Sequence, residues 1–183
     1  AAGFSPALAT GPGAGEIRAV SAAAGAVVSV ASDARGPATL QVRHGDAAPV
    51  TVATVNAALA DVDPLDVRPV RHLGPDGQPL VSWLFLPPHT AGAPRPALVV
   101  KAYSGNVYRT PPRDPPPVLG LAADVRTLVG HGHAVLVPSL PLPRDGRGEP
   151  MAGLAARVLA VVDAAAGTPG LGDAFDPDRL ALW

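Results

Sequence analysis

Few side chains in this sequence are able to do covalent or acid–base chemistry. The serines are Ser5, Ser21, Ser29, Ser32, Ser82, Ser104 and Ser139, and none sits in a Gly-x-Ser-x-Gly arrangement. A nucleophilic serine needs a base within hydrogen-bond reach and donors for the oxyanion. Ser104, in "KAYSGN", has neither nearby in sequence and reads as a turn residue. His131 and His133, in "GHGH", raise the question of a metal. Two histidines one residue apart point opposite ways in an extended chain, and no third ligand cluster lies near, so a closed metal site is not supported. His44, His72 and His89 stand singly among strand and loop residues and are assigned no role. Cysteine is absent, which excludes disulfides and thiolate metal sites.

The composition narrows the classes further. Hydrophobic residues make up 48% of the 183 positions, enough for a core, but aromatics only 4%, so burial must come from Val, Leu and Ala. The 14 basic and 15 acidic side chains leave a formal net charge of -1, spread thinly. That argues against an electrostatic footprint for nucleic acid or an anionic membrane. Pro, Gly or charge interrupts every apolar run before the roughly 18 to 20 residues that a membrane helix requires. No signal peptide is legible at the start, and no compartment is assigned.

The elements that must position any site fall into two textures. Residues 1–14 are Ala, Gly and Pro and read as loop. "EIRAVSAA", "AVVSVASD", "ATLQVRH" and "PVTVATVN" are short Val- and Thr-rich segments at the spacing of antiparallel strands, about what one propeller blade contains. Residues 56–67 read as a connection broken by Pro64. "VRPVRHL" and "PLVSWLFLPP" flank the turn Pro75-Asp76-Gly77 and predict a hairpin over residues 67–87.

The remaining pattern is βαβαβ. Residues 97–103 form an apolar run of buried-strand length, and residues 121–132 place apolar residues at helical spacing and end on glycine. "HAVLVPSL" is a second buried strand, residues 151–167 a long Ala-rich helix, and "RLALW" a third strand after the turn residues Asp176-Pro177-Asp178. Right-handed crossovers make that sheet parallel. The Pro-rich run 112–117 reads as a stiff spacer in a loop rather than a polyproline ligand.

In that order, "DGQPLVSWLFLPP", "PALVVKAYSG", "LVGHGHAVLVPSLP", "VVDAAAG" and "DPDRLALW" resemble the start of the catalytic domain of prolyl oligopeptidase-family serine peptidases. The resemblance implies an α/β fold: the N-terminal part of an α/β-hydrolase domain preceded by terminal β-propeller strands. Residues 1–55 are then the end of the propeller, 56–66 a linker and 67–183 the truncated hydrolase domain. It implies hydrolysis of peptide bonds by acyl transfer, a peptide substrate, and no metal or organic cofactor.

The same resemblance gives Tyr103 the role of an oxyanion donor, the alternative being a tyrosine that caps a strand at the sheet edge. Tyr108 and Arg109 share its loop and are candidate substrate-pocket residues, with plain exposed loop residues as the alternative. Gly132 takes the left-handed turn after a helix. The family's Gly-x-Ser-x-Gly elbow follows the strand that "RLALW" resembles. The chain is therefore expected to stop short of its nucleophile, to lack the Ser-Asp-His triad and to be inactive alone. The loop "PRDGRGEP" departs from the family's pattern, so Arg144 and Arg147 receive no role. The alternatives are an α/β-hydrolase esterase with a β-rich front domain and a non-catalytic binding relative.

Overall fold

The computed structural model describes residues 16–23, 25–32, 37–88, 92–112, 124–142, 149 and 151–183. The chain divides into two compact units between Pro64 and Leu65.

The first unit is an antiparallel meander of β1 (Glu16–Ala23), β2 (Ala26–Ser32), β3 (Ala38–His44) and β4 (Val50–Val55), in that spatial order. All four predicted strands are present. Both outer strands carry a bulge: the register slips between Ile17 and Ala19 in β1, and Leu40 and Gln41 face Ala53 and Thr51, leaving Val52 of β4 unpaired. Bulges twist an edge and spoil it as a template for pairing. Burial is slight, with Val27 the one buried apolar side chain among the described residues and Val50 and Val52 at 65% and 60% exposure. The connection predicted over residues 56–67 contains a short 3-10 helix, Ala57–Asp61, entered through Asn56 at φ 57.

The second unit begins with the predicted hairpin. Strands β5 (Asp66–Leu73) and β6 (Pro79–Leu86) pair antiparallel, and their turn closes with Gly74 N–H donating to Gln78 O at 2.8 Å. Gly77, at φ 72, supplies the positive dihedral that the turn demands. Strands β7 (Ala97–Val100), β8 (Ala134–Val137) and β9 (Asp176–Leu182) then complete a mixed sheet of order β5-β6-β8-β7-β9. The β8-β7-β9 portion is parallel, as predicted.

Helix α1 (Val125–Gly130) joins β7 to β8, and α2 (Leu154–Ala166) joins β8 to β9. The two crossovers run in opposite directions along the sheet, so a common hand places the helices on opposite faces. Alternate residues of each strand register this. Leu84, Leu98, Val100 and Leu136 pack with Val158, Val161, Val162 and Ala165 of α2, while Phe85, Val135 and Val137 pack with Val125 and Val129 of α1. The α2 contacts recur at i, i+3, i+4 and i+7, one stripe of a helix.

Element ends differ from the sequence-based expectation in four places. The strand expected over 97–103 ends at Val100, because the chain must leave the sheet for the turn that follows. The helix expected over 121–132 starts at Val125, where the Asp124 side chain caps it by accepting from Thr127 N–H. The helix expected over 151–167 starts at Leu154, after Gly153 in a left-handed conformation. Asp176-Pro177-Asp178 lies within β9: Ala97 pairs with Asp176 and Leu98 with Leu180, so residues 177–179 bulge out. The turn chemistry persists inside the bulge, with Asp178 N–H donating to Asp176 Oδ1 at 3.1 Å.

A polar knot crosses the apolar sheet. Ser82, fully buried in β6, accepts from Ser139 N–H at 2.8 Å, and Ser139 Oγ donates to Val81 O at 2.6 Å. His72 Nε2 lies 2.8 Å from Ser82 Oγ, and His72 Nδ1 lies 3.3 Å from Leu73 O. Since a carbonyl only accepts, Nδ1 carries the proton, and Nε2 accepts from the Ser82 hydroxyl. Burial pushes the His72 imidazole below its ordinary range, more than the Leu73 carbonyl raises it.

Two measurements check this packing. Phe175 is fully buried against the α2 face, so Phe175→Ala is expected to destabilise the protein by about 3–5 kcal/mol in denaturant unfolding. Leu159→Ala, on the exposed side of α2, is expected to cost under about 0.5 kcal/mol. For His72 the folded-state pKa lies below the unfolded one, so the unfolded chain takes the proton first. Its contribution is present above about pH 6.5 and lost as pH falls through the depressed value. The melting temperature is expected to decline in that acidic range, and His72→Gln to flatten the decline.

Candidate active site

In an open sheet with parallel strands, ligands bind outside the carboxyl ends where the connections of neighbouring strands depart to opposite faces. Here that point lies between β7, which leaves toward the α1 face, and β8, which leaves toward the α2 face. The residues placed there are 101–112 after β7, 138–142 after β8, and Trp183 at the end of β9.

The chain after β7 is held from two sides. Lys101 N–H donates to Leu136 O at 2.9 Å and Ala102 N–H to Trp183 O at 3.3 Å, so the ladder outlasts the strand by two residues. A tight turn follows, closed by Asn106 N–H on Tyr103 O at 3.3 Å, with Gly105 at φ 100 in its third position. That dihedral belongs to a type II turn and explains the glycine. Gly105 N–H donates to Leu140 O at 2.7 Å and Leu140 N–H to Asn106 O at 2.8 Å, pinning the turn to the segment after β8.

Tyr103 stands on this pinned turn with its side chain 70% exposed. The backbone that carries this phenol is held by five hydrogen bonds, while the ring itself meets solvent. Tyr108 is placed differently. Its ring packs against the α1-side core, its hydroxyl accepts from Asn106 Nδ2 at 2.9 Å, and its N–H donates to Ser139 Oγ at 2.9 Å. Arg109 is exposed on the same loop.

The other residues singled out in the sequence are scattered. Ser104 receives Arg157 Nη2 at 3.4 Å, and a guanidinium donates only, so this contact supplies no base. His131 closes α1 and Gly132 follows at φ 85, the left-handed turn expected there. Among the described residues no three His, Cys, Asp or Glu side chains group as a metal site. His44 ends β3 on the surface. His89, Arg144, Arg147 and residues 113–117 of the Pro-rich run lie outside the described residues.

Sequence reasoning missed Ser82, Ser139 and His72. Ser82 and His72 have the spacing of a nucleophile and its base, but Ser82 is fully buried and its oxygen already receives Ser139 N–H, so the pair is structural. A signal was present: Ser82 shares the period-two face of Leu84, a polar residue at a core position, which must be hydrogen-bonded. Arg157 was passed over in an Ala-rich helix. Its Nη1 donates to Pro141 O at 2.8 Å.

No protein-family model and no curated protein matches the chain. Solved structures do. The acylaminoacyl peptidase of Pyrococcus horikoshii superposes over 91% of this chain with a TM-score of 0.58 and 16% identity, covering 26% of its own length. The AtxE2 isopeptidase covers 92% of this chain and 27% of its own, with a TM-score of 0.57 and 18% identity. Prolyl oligopeptidase B from Galerina marginata covers 92% and 24%, with a TM-score of 0.52 and 16% identity. The chain spans about a quarter of the length of these structures. Over these residues it has the fold of the prolyl oligopeptidase family of peptidases.

Proposed function

We propose that these residues form the oxyanion-binding side of a serine peptidase that hydrolyses peptide bonds by acyl transfer. The observation that carries this reading is the exposed Tyr103 on its pinned turn at the carboxyl end of β7. Two neighbours of the same fold support the substrate class. The AtxE2 isopeptidase was solved with Astexin3-dC4 bound, and prolyl oligopeptidase B with a 35mer hydrolysis and macrocyclization substrate.

In this reading residues 67–183 are the first part of an α/β-hydrolase domain, residues 56–66 a linker and residues 1–55 the last strands of a β-propeller. The mixed sheet with helices on both faces supports the first assignment, and the four-stranded meander is the content of one propeller blade. The catalytic serine, with its histidine and aspartate, lies in sequence outside these 183 residues, which hold no Gly-x-Ser-x-Gly. That serine attacks the scissile carbonyl, the histidine carries its proton to the leaving amine, and the aspartate orients the histidine. The Tyr103 hydroxyl donates to the oxygen on which negative charge collects. Tyr108 and Arg109 border the same loop, and Arg109 is the one of the two whose exposure suits contact with a peptide.

Tyr103→Phe in the full-length enzyme is expected to lower kcat by about 100- to 1,000-fold with KM little changed, since one oxyanion donor is lost. An unaltered kcat removes Tyr103 from the oxyanion hole. A fluorophosphonate serine probe is expected to label the full-length enzyme and to leave the 183-residue chain unlabelled. Labelling of the short chain places a nucleophile within it and overturns the assignment.

A further inference from the structure

The turn that carries Tyr103 is tied to the segment after β8 by the backbone bonds of Gly105 and Asn106 with Leu140. A further tie comes from a helix. Arg157, in the first turn of α2, donates through Nη1 to Pro141 O at 2.8 Å and through Nη2 to Ser104 Oγ at 3.4 Å. One planar guanidinium thus spans the two segments that leave β7 and β8, where the connections diverge to opposite faces. Pro141 follows Leu140, the residue that bonds Gly105, and Ser104 directly follows Tyr103.

We propose that Arg157 is a positioning residue for the oxyanion donor, fixing the turn over residues 103–106 relative to the end of β8. The inference rests on the oxyanion reading of Tyr103 for its catalytic consequence, but not for its structural one. The fork geometry is what the task requires. Two acceptors on different segments are met at once by Nη1 and Nη2, whereas a lysine ammonium is a point charge on a flexible stem. Arg157 also belongs to α2, whose Val158, Val161 and Val162 are packed into the core, so the clamp is anchored on a rigid element. Misplacement of a catalytic group by about 1 Å costs on the order of 100-fold in rate. A turn that keeps its bonds to Leu140 and loses only the clamp should shift by less, and the expected loss is about tenfold.

The test uses the full-length enzyme with Arg157→Ala, Arg157→Lys, Ser104→Ala, Tyr103→Phe and the Arg157→Ala/Tyr103→Phe double variant. Steady-state kinetics on a peptide substrate and amide hydrogen exchange are both read. Arg157→Ala is expected to lower kcat about tenfold with KM unchanged, and to change it less than twofold in the Tyr103→Phe background, because both substitutions disable one donor. Arg157→Lys should recover part of the loss. Ser104→Ala, which removes one acceptor and leaves α2 untouched, should lower kcat by a smaller factor and keeps the test open if Arg157→Ala does not fold.

Exchange at the Gly105 and Asn106 amides should accelerate in Arg157→Ala while the amides of β8 stay protected. Unchanged exchange at the turn overturns the proposal, as does a full tenfold loss persisting in the Tyr103→Phe background. Accelerated exchange with a kcat indifferent to Tyr103→Phe keeps the clamp and defeats the oxyanion reading instead.

Discussion

The second unit is organised by one constraint: the chain leaves β7 in one direction along the sheet and returns over it in the other. A short apolar strand paired on both sides must be covered on both faces, and the two crossovers of like hand do this by placing α1 and α2 on opposite sides. The same reversal parts the backbone at the carboxyl ends of β7 and β8. There the outgoing segments have no strand neighbour above them and must be held by individual bonds. The Leu140 contacts, the Ser139 hydroxyl and the Arg157 guanidinium are those bonds, and Tyr103 is displayed where they converge.

Much of this architecture was legible because it is encoded locally. Pro75-Asp76-Gly77 between two alternating segments announces the hairpin, and Gly77 takes the positive φ that such a turn needs. The stripe Val158, Val161, Val162 and Ala165 announces α2. What depends on partners far apart in sequence was not legible. Ser82 meets His72 ten residues away and Ser139 fifty-seven away, and nothing in "PLVSWLFL" names either partner. Tyr103 was placed at the end of its strand by resemblance, but the bonds that hold its turn come from Leu140, Trp183 and Arg157, on three later segments. Element ends slipped where a local contact or backbone conformation overrode the pattern, as Asp124 does by capping α1 three residues after its apolar periodicity begins and Gly153 by its left-handed conformation before α2.

The two units differ in how their strands find stability. In the second, Leu84, Leu98, Val135 and Leu136 are essentially inaccessible, and each such side chain contributes about 1.5–3 kcal/mol through removal from water. In the first, Val27 is the buried apolar side chain among the described residues, and β4 presents every residue to solvent. Its ladder hydrogen bonds contribute about 0.5–1.5 kcal/mol each after exchange with water.

The bulge in β9 has a consequence for how this segment can change over evolutionary time. Leu180 and Leu182 face the way that their pairing with Leu98 and Val100 dictates, and the three residues extruded between the Ala97–Asp176 and Leu98–Leu180 pairs take no part in that pairing. Substitutions at Pro177, Asp178 or Arg179 leave the facing alone. Gain or loss of one residue among them alters the size of the bulge and keeps Leu98 opposite Leu180. Drift in length at this point is absorbed locally, without turning the face of the strand that runs up to Trp183.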